Sequence, residues 1–385
     1  MARHVYLDHN ASTPVHPEVV AAMLPYYTEA YGNPSSVHAF GRAAHEGVDT
    51  ARERIACFLK AAPDEIAFTS GGTESDNFAV KGLAFARGGG HLITSCIEHH
   101  AVLRTCQWLE TQGFAVTYLP VDEQGMVDPD EVRRAIRRDT IAITVMHANS
   151  EMGTVQPIAA VGRLAREHGI PLHVDAVQTF GKVPIDVEAV GISALSFSGH
   201  KIYGPKGVGG LYIRKGTKMV AIQHGGDHER RRRAGTENVP GIVGLGQAVA
   251  LRGREMREEA VRVAALRDRL GEGMRRRVPE VRLSGHPTER LPGTASFLFR
   301  HVESESIVLG LDLCGIGVSA GSACTSGNVE PSYVLVAMGV PLDWAMGAVR
   351  CSLGRSTTAA DVDYVLECVE PLVRRLRSAL PVGAA

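Results

Sequence analysis

Seven short apolar runs, at 66–69, 92–95, 115–119, 141–146, 171–174, 194–197 and 208–213, alternate with segments of helical periodicity. Parallel strands need long crossovers, and helices laid over both faces bury every strand from two sides. The alternation therefore predicts an α/β fold with a mostly parallel seven-stranded sheet. In such a sheet ligands gather at the carboxyl ends of the strands, so the residues that follow each run are the place to look for chemistry.

Flanking segments extend the pattern. A short strand at 5–7 leads into a polar loop, a helix starts near Pro17, and another amphipathic helix runs through Ile55, Phe58 and Leu59. Between 241 and 277 the apolar residues Ile242, Leu245, Val249, Met256, Val263, Leu266 and Leu270 recur at helical spacing. They predict a long helix or helix pair leaving the sheet, with the interspersed Arg and Glu as its solvated face. After Pro279, strands at 295–299 and 317–319 and helices near 305–311 and 360–376 predict a smaller C-terminal α/β domain.

Composition narrows the function classes. A formal net charge of −1, from 41 basic and 42 acidic residues, gives no global field toward nucleic acid or a membrane surface. The seven cysteines are odd in number and contain no C-x-x-C pair, which argues against a disulfide scaffold or zinc ribbon and for a reducing compartment. The first residues hold no apolar signal core and no stretch approaches a membrane span, so a cytoplasmic protein is expected. Lysine is rare, at 60, 81, 182, 201, 206, 215 and 218 only.

Two of those lysines lie in S-F-S-G-H-K-I-Y-G-P-K-G, residues 196–207. Lys201, placed where a buried strand gives way to a tight glycine-rich loop, is well sited to bond a carbonyl cofactor. That role requires an amine whose charge is disfavoured by burial or by nearby cations, a pressure expected from His200 and Lys206. Gly71-Gly72-Thr73 follows one strand and opens a helix, a plausible phosphate cradle, and Ser198 and His200 are placed to serve the same phosphate. Asp175, at the end of H-V-D-A-V-Q, either holds a pyridine nitrogen protonated or caps the next helix, and Gln178 can donate to a ring oxygen. His99 can stack on a flat cofactor and move protons, whereas further ligands at metal-binding spacing are lacking. Cys324 sits among Ser, Gly and Ala with no apolar periodicity, the setting of a reactive thiol, while Cys351 and Cys368 read as structural. Arg350 and Arg355 offer a fork for a substrate carboxylate. The basic run at 226–233 reads as a solvated loop or a docking patch for an acidic partner.

The motifs S-G-G-T-E-S-D-N, E-H-H-A-V-L, H-V-D-A-V-Q, S-G-H-K-I-Y-G-P-K-G, R-A-G-T-E-N, G-S-A-C-T-S and V-R-C-S-L-G-R together resemble cysteine desulfurases of the NifS/IscS type. These are pyridoxal 5′-phosphate (PLP) enzymes of fold type I, among the class V aminotransferases. The resemblance implies a large domain at 15–255 and a small one formed by 1–14 and 256–385. It implies that Lys201 bonds the cofactor and later takes the substrate Cα proton, that Asp175 pairs with the ring nitrogen, that Gln178 meets the ring hydroxyl and that His99 stacks on the ring. Gly72, Thr73, Ser198 and His200 would hold the phosphate, joined by Thr236 from a second subunit of a homodimer with shared sites. Arg350 would anchor the carboxylate of L-cysteine, with Asn149 and Ser150 nearby. Cys324 would attack the substrate sulfur, release alanine and carry the persulfide to an iron–sulfur scaffold or tRNA-thiolation protein. The family usually reads N-N-E where this chain has Asn149-Ser150-Glu151, and a hydroxyl cannot make both contacts of an amide. The competing readings are a related PLP enzyme independent of Cys324, such as a selenocysteine lyase or an aminotransferase, and a non-catalytic sulfur carrier on the same fold.

Overall fold

The computed structural model describes residues 3–320 and 330–378. After a two-residue strand β1 (Val5–Tyr6), all seven apolar runs form one sheet. Its members are β2 (Ile66–Thr69), β3 (His91–Ser95), β4 (Ala115–Leu119), β5 (Thr140–Met146), β6 (Leu172–Asp175), β7 (Ala194–Ser198) and β8 (Gly209–Ile213), in spatial order β2-β8-β7-β6-β5-β3-β4. Only β8 runs against its neighbours. The carboxyl ends of the other six therefore share one edge, which is what gathers the polar residues behind them.

Both faces of the sheet are covered. On one, Ile143, Val145, Val174, Leu195 and Phe197 share a core with Val48, Ile55 and Leu59 of the helix Ala39–Leu59. Phe180 stacks on Phe197 at 4.4 Å between ring centroids, a close stacked contact. On the other, Val80 and Leu83 of the helix Gly72–Phe85 meet Leu92 and Val102. The predicted long helix is a single helix, Val239–Arg277. Its first half, through Ile242, Leu245 and Val249, belongs to the large core, and Val263, Leu270 and Met274 belong to a second one.

That second core backs a four-stranded antiparallel sheet. With β9 (Val281–Ser284), β10 (Thr294–Phe299), β11 (Ile316–Gly317), β12 (Ser319–Ala320) and β13 (Ala348–Ser352), its order is β12-β13-β10-β9. The strand expected at 317–319 is divided: Gly317 closes β11, which pairs with β1, and Ser319 opens β12. The chain start is woven into this half, because Leu7 donates to Gly317 O at 2.8 Å and accepts from Ser352 N at 2.7 Å. From there Asn10 and Ala11 cross to the carboxyl edge of the large sheet, where both carbonyls receive the Lys201 amine.

The segment at 226–233 is not simply a solvated loop. Glu229 is buried, and its carboxylate receives both Nη atoms of Arg52, at 2.9 and 2.7 Å, and Phe68 N at 2.8 Å. Arg233 reaches Glu74, Arg232 reaches Asp64 O, and Arg230 and Arg231 remain exposed. Among the described residues no helix is long and apolar enough to cross a membrane.

Candidate active site

A cleft of about 310 Å³ opens at the shared strand edge, at the low end of the roughly 300–1,000 Å³ typical of small-molecule sites. Lys201, His99, Asp175 and Gln178 line it, together with Gly72, Thr73, Ser198 and His200. Ser150 and Arg350 complete the set of expected residues that meet there.

At the end of β2 the helix Gly72–Phe85 starts without a side-chain cap. A Cβ on Gly72 would lie 2.6 Å from a methyl of Val177, so position 72 has no room for a side chain of its own. The unpaired backbone N–H groups of the helix start and the helix dipole favour an anion at this point.

Lys201 closes the single 3-10 turn Gly199–Lys201 after β7. Its Nζ donates to Asn10 O at 2.5 Å and Ala11 O at 2.8 Å. Burial first and Arg350 second push the amine down to about 8, while Asp8 and Asp175 oppose them. The pressure expected from His200 and Lys206 is thus replaced by desolvation and a different cation. His200 cannot supply it: burial, helped by Lys201, Lys206 and Lys182, holds its own ring down at about 4. Tyr203, two residues on, has a left-handed φ of 66° and is pinned through its N–H to Thr13 Oγ1 and its hydroxyl to Glu259. These bonds hold an unfavourable backbone conformation beside the reactive amine.

Asp175 Oδ1 accepts from Val177 N at 2.9 Å, a local turn bond and not a cap on a helix. Burial raises its carboxyl, and His99 and Lys201 pull it back. Asp76, which the sequence reading passed over, lies in the same cleft, and burial first and Asp175 second hold its carboxyl well above the usual carboxylate range. Its Oδ1 has no hydrogen-bond partner, and the nearby His173 is itself held down at about 3 by burial. Two close carboxylates disfavour simultaneous ionisation. Burial and each other's charge raise both carboxyls, and His99 and Lys201 favour the charged form of Asp175.

Arg350 lies in the middle of β13 and is buried. It donates to Asp8 Oδ1 at 2.8 Å and to Ser150 O at 3.1 Å, and its Nε is unpartnered. His99 caps the helix His100–Thr111, accepting from Ala101 N through Nδ1.

Asn149 departs from expectation. Its amide donates to Ile97 O and accepts from Glu151 N, and it does not line the cleft. It shapes the turn that presents Ser150, whose carbonyl receives Asn10 Nδ2 and Arg350. Thr236 is exposed and lies outside the cleft. Cys324 lies outside the described residues. No cluster of metal-ligating side chains occurs among the described residues.

The model of the family described as "Aminotransferase class-V" matches residues 5–365. The chain belongs to this family. It is 55% identical over 380 residues to a "Cysteine desulfurase IscS" of Methanosarcina thermophila, covering 98% of this chain and 94% of that one. A protein of the same name from Dictyoglomus turgidum is 51% identical over 383 residues, covering 99% and 97%. A solved structure named "NIFS-LIKE PROTEIN" superposes with a TM-score of 0.92 at 39% identity, over 97% of this chain and all of that one.

The fold is accordingly that of the PLP-dependent class V aminotransferases, fold type I. The cleft fits their cofactor on its own observations. A depressed amine faces a buried carboxylate, and a bare helix start lies beside Thr73, Ser198 and His200. Asn10 and Asp76 are the residues that motif reading missed. Asp76 was printed inside S-G-G-T-E-S-D-N, but only the helix phase after Gly72 reveals that it turns inward.

Proposed function

We propose that the protein is a PLP-dependent cysteine desulfurase, converting L-cysteine to L-alanine and leaving the sulfur as a persulfide on Cys324. The observation that carries this reading is the Lys201 amine, depressed to about 8, held in one cleft with Asp175 and Arg350. The strong likeness to curated cysteine desulfurases over nearly the whole chain supports the same activity.

PLP, when bound, supplies an electron sink for charge developing at the substrate Cα. Lys201 would hold it and would serve as base for the substrate Cα proton, a task suited to an amine whose charge burial disfavours. Asp175 would keep the ring nitrogen protonated, Gln178 would meet the ring hydroxyl, and His99 would cover the ring face and pass protons. Gly72, Thr73, Ser198 and His200 hold the phosphate. Arg350 binds the substrate carboxylate, exchanging the single contact with Asp8 for a fork. The Cys324 thiolate attacks the substrate sulfur: an S–S bond forms, the Cβ–S bond breaks, and the departing electron pair takes up a proton as the alanine methyl.

A homodimer with Thr236 of one subunit at the phosphate of the other is supported by the exposure of Leu24, Tyr27, Tyr31, Val37 and Phe40, an apolar set that a second copy would cover. The domain division at 255/256 falls inside the continuous helix Val239–Arg277, where membership passes from one core to the other. The six described cysteines are free, in keeping with a reducing cytoplasm. The sulfur passes to iron–sulfur scaffold or tRNA-thiolation proteins.

Wild type and Cys324→Ala are to be fed L-cysteine, with alanine and protein persulfide measured separately. The variant is expected to form no persulfide; equal sulfur transfer by both proteins would remove Cys324 from the mechanism.

A further inference from the structure

Next to the cleft lies a second, smaller chamber of about 40 Å³, and Lys201 and Asn10 line both. Its polar wall consists chiefly of His9, Lys182, Tyr203, Arg252 and Glu259. His9 is buried with both ring nitrogens unpartnered, so beside its apolar lining a chamber of this size offers a water polar partners. The mechanism proposed above uses none of these groups. From this chamber Lys182 Nζ reaches Gln178 Oε1 at 3.3 Å, and Gln178 Nε2 donates to Asn10 O at 3.0 Å. Asn10 O is the same carbonyl that receives Lys201.

We propose that Lys182 is a positioning residue that sets the orientation of the Gln178 amide from the smaller chamber, and through it the hydrogen bond that the cofactor ring receives. The inference rests on the PLP reading of the cleft. A glutamine amide is nearly symmetric in shape, and only its partners decide which end faces a ligand. An ammonium has three donors and no acceptor, so Lys182 selects the oxygen end of the amide. The nitrogen end is thereby kept for Asn10 O and the cleft, where a ring oxygen needs a donor. With an apolar side chain at 182, Oε1 loses its partner and the amide loses one of the two contacts that define its direction.

The groups facing Lys182 bear on its charge. Burial, with Lys201, Arg252 and Arg350, lowers its amine to about 7 against the pull of Glu259, and Lys182 in turn helps keep His9 neutral. Charged, the amine can only donate to Gln178; neutral, it gains a lone pair, so the selection of the oxygen end is strongest below about pH 7.

The test is a double-mutant cycle on the PLP-loaded enzyme, read by the cofactor absorbance titrated with pH and by PLP retention on dilution. Lys182→Met is expected to move the spectral midpoint and to weaken PLP retention about three- to tenfold. Lys182→Arg should restore most of both, and Lys182→Met should add nothing in a Gln178→Ala background. A Met variant that titrates and retains PLP like wild type, or effects that add in full, would overturn the proposal. If the Met variant has no cooperative melting transition, Lys182→Ala, which also lacks a donor, takes its place in the cycle under the same criteria. A wild-type protein that shows no PLP absorbance would instead sink the functional reading; one that shows it while the cycle is additive sinks only the role of Lys182.

Discussion

Among the described residues Arg52, Arg252 and Arg350 are buried and paired with carboxylates, and Arg52 and Arg350 are used differently. Arg52 meets Glu229 through both Nη atoms, and the same carboxylate also takes Phe68 N, so its oxygens are filled. Arg350 meets Asp8 through one nitrogen and spends another on the Ser150 carbonyl. The first pair stitches a surface segment onto the edge of the large sheet. The second leaves its fork incompletely matched at the wall of a cleft. A saturated ion pair contributes rigidity, whereas a half-used one keeps capacity for a ligand carboxylate.

The largest effect is expected where the saturated pair is broken. Arg52→Met strands a buried carboxylate and should cost about 3–5 kcal/mol of stability in denaturant unfolding, with PLP absorbance intact while the protein remains folded. Replacing both partners by apolar residues should recover much of that loss. Arg350→Ala should do the reverse: kcat/KM for L-cysteine is expected to fall by about 2–5 kcal/mol equivalent, mostly through KM, with a smaller change in stability. Equal stability losses for the two arginines would erase the distinction.

A third expectation joins the two halves through Lys201. With its amine lowered to about 8, only about a tenth is neutral at pH 7, so capture of PLP by the cofactor-free protein should quicken about tenfold per pH unit and level off above 8. Arg350 is one of the causes of that depression, so Arg350→Ala should shift the bend to higher pH, and Arg52→Met should leave it in place. Stopped-flow absorbance across pH 6–10 reads both. The smallest effect is expected at Ser150. Because its main-chain carbonyl receives Asn10 and Arg350, Ser150→Asn should change KM by less than about 1 kcal/mol equivalent. A tenfold or greater change would show that the side chain itself meets the substrate.

Legibility followed burial. The seven runs of the large sheet were readable because strands covered on both faces must be almost wholly apolar, and nothing but strand accommodates runs that short between helices. Strand β13 was not, because A-V-R-C-S carries an arginine and a serine; its place is set by pairing with β10 and β12, contacts remote in sequence. The site divided along the same line. Lys201, Asp175, Ser198 and Gly72 follow strands directly and could be placed from the chain alone. Asn149, equally close to a strand end, is turned away because its amide closes the turn to Ile97 and Glu151.

By itself the amino-acid order determined the parallel sheet, the edge at which its polar residues collect and the lysine at their centre, since periodicity and local turn chemistry act over a few residues. The tertiary structure alone decided which charges meet there. Burial and Arg350, not His200, lower the Lys201 amine, Asp76 shares a cleft with Asp175, and the loop at Asn10 arrives from the other half of the molecule. Electrostatic strength depends on distance and desolvation, and neither is defined until remote segments have packed together.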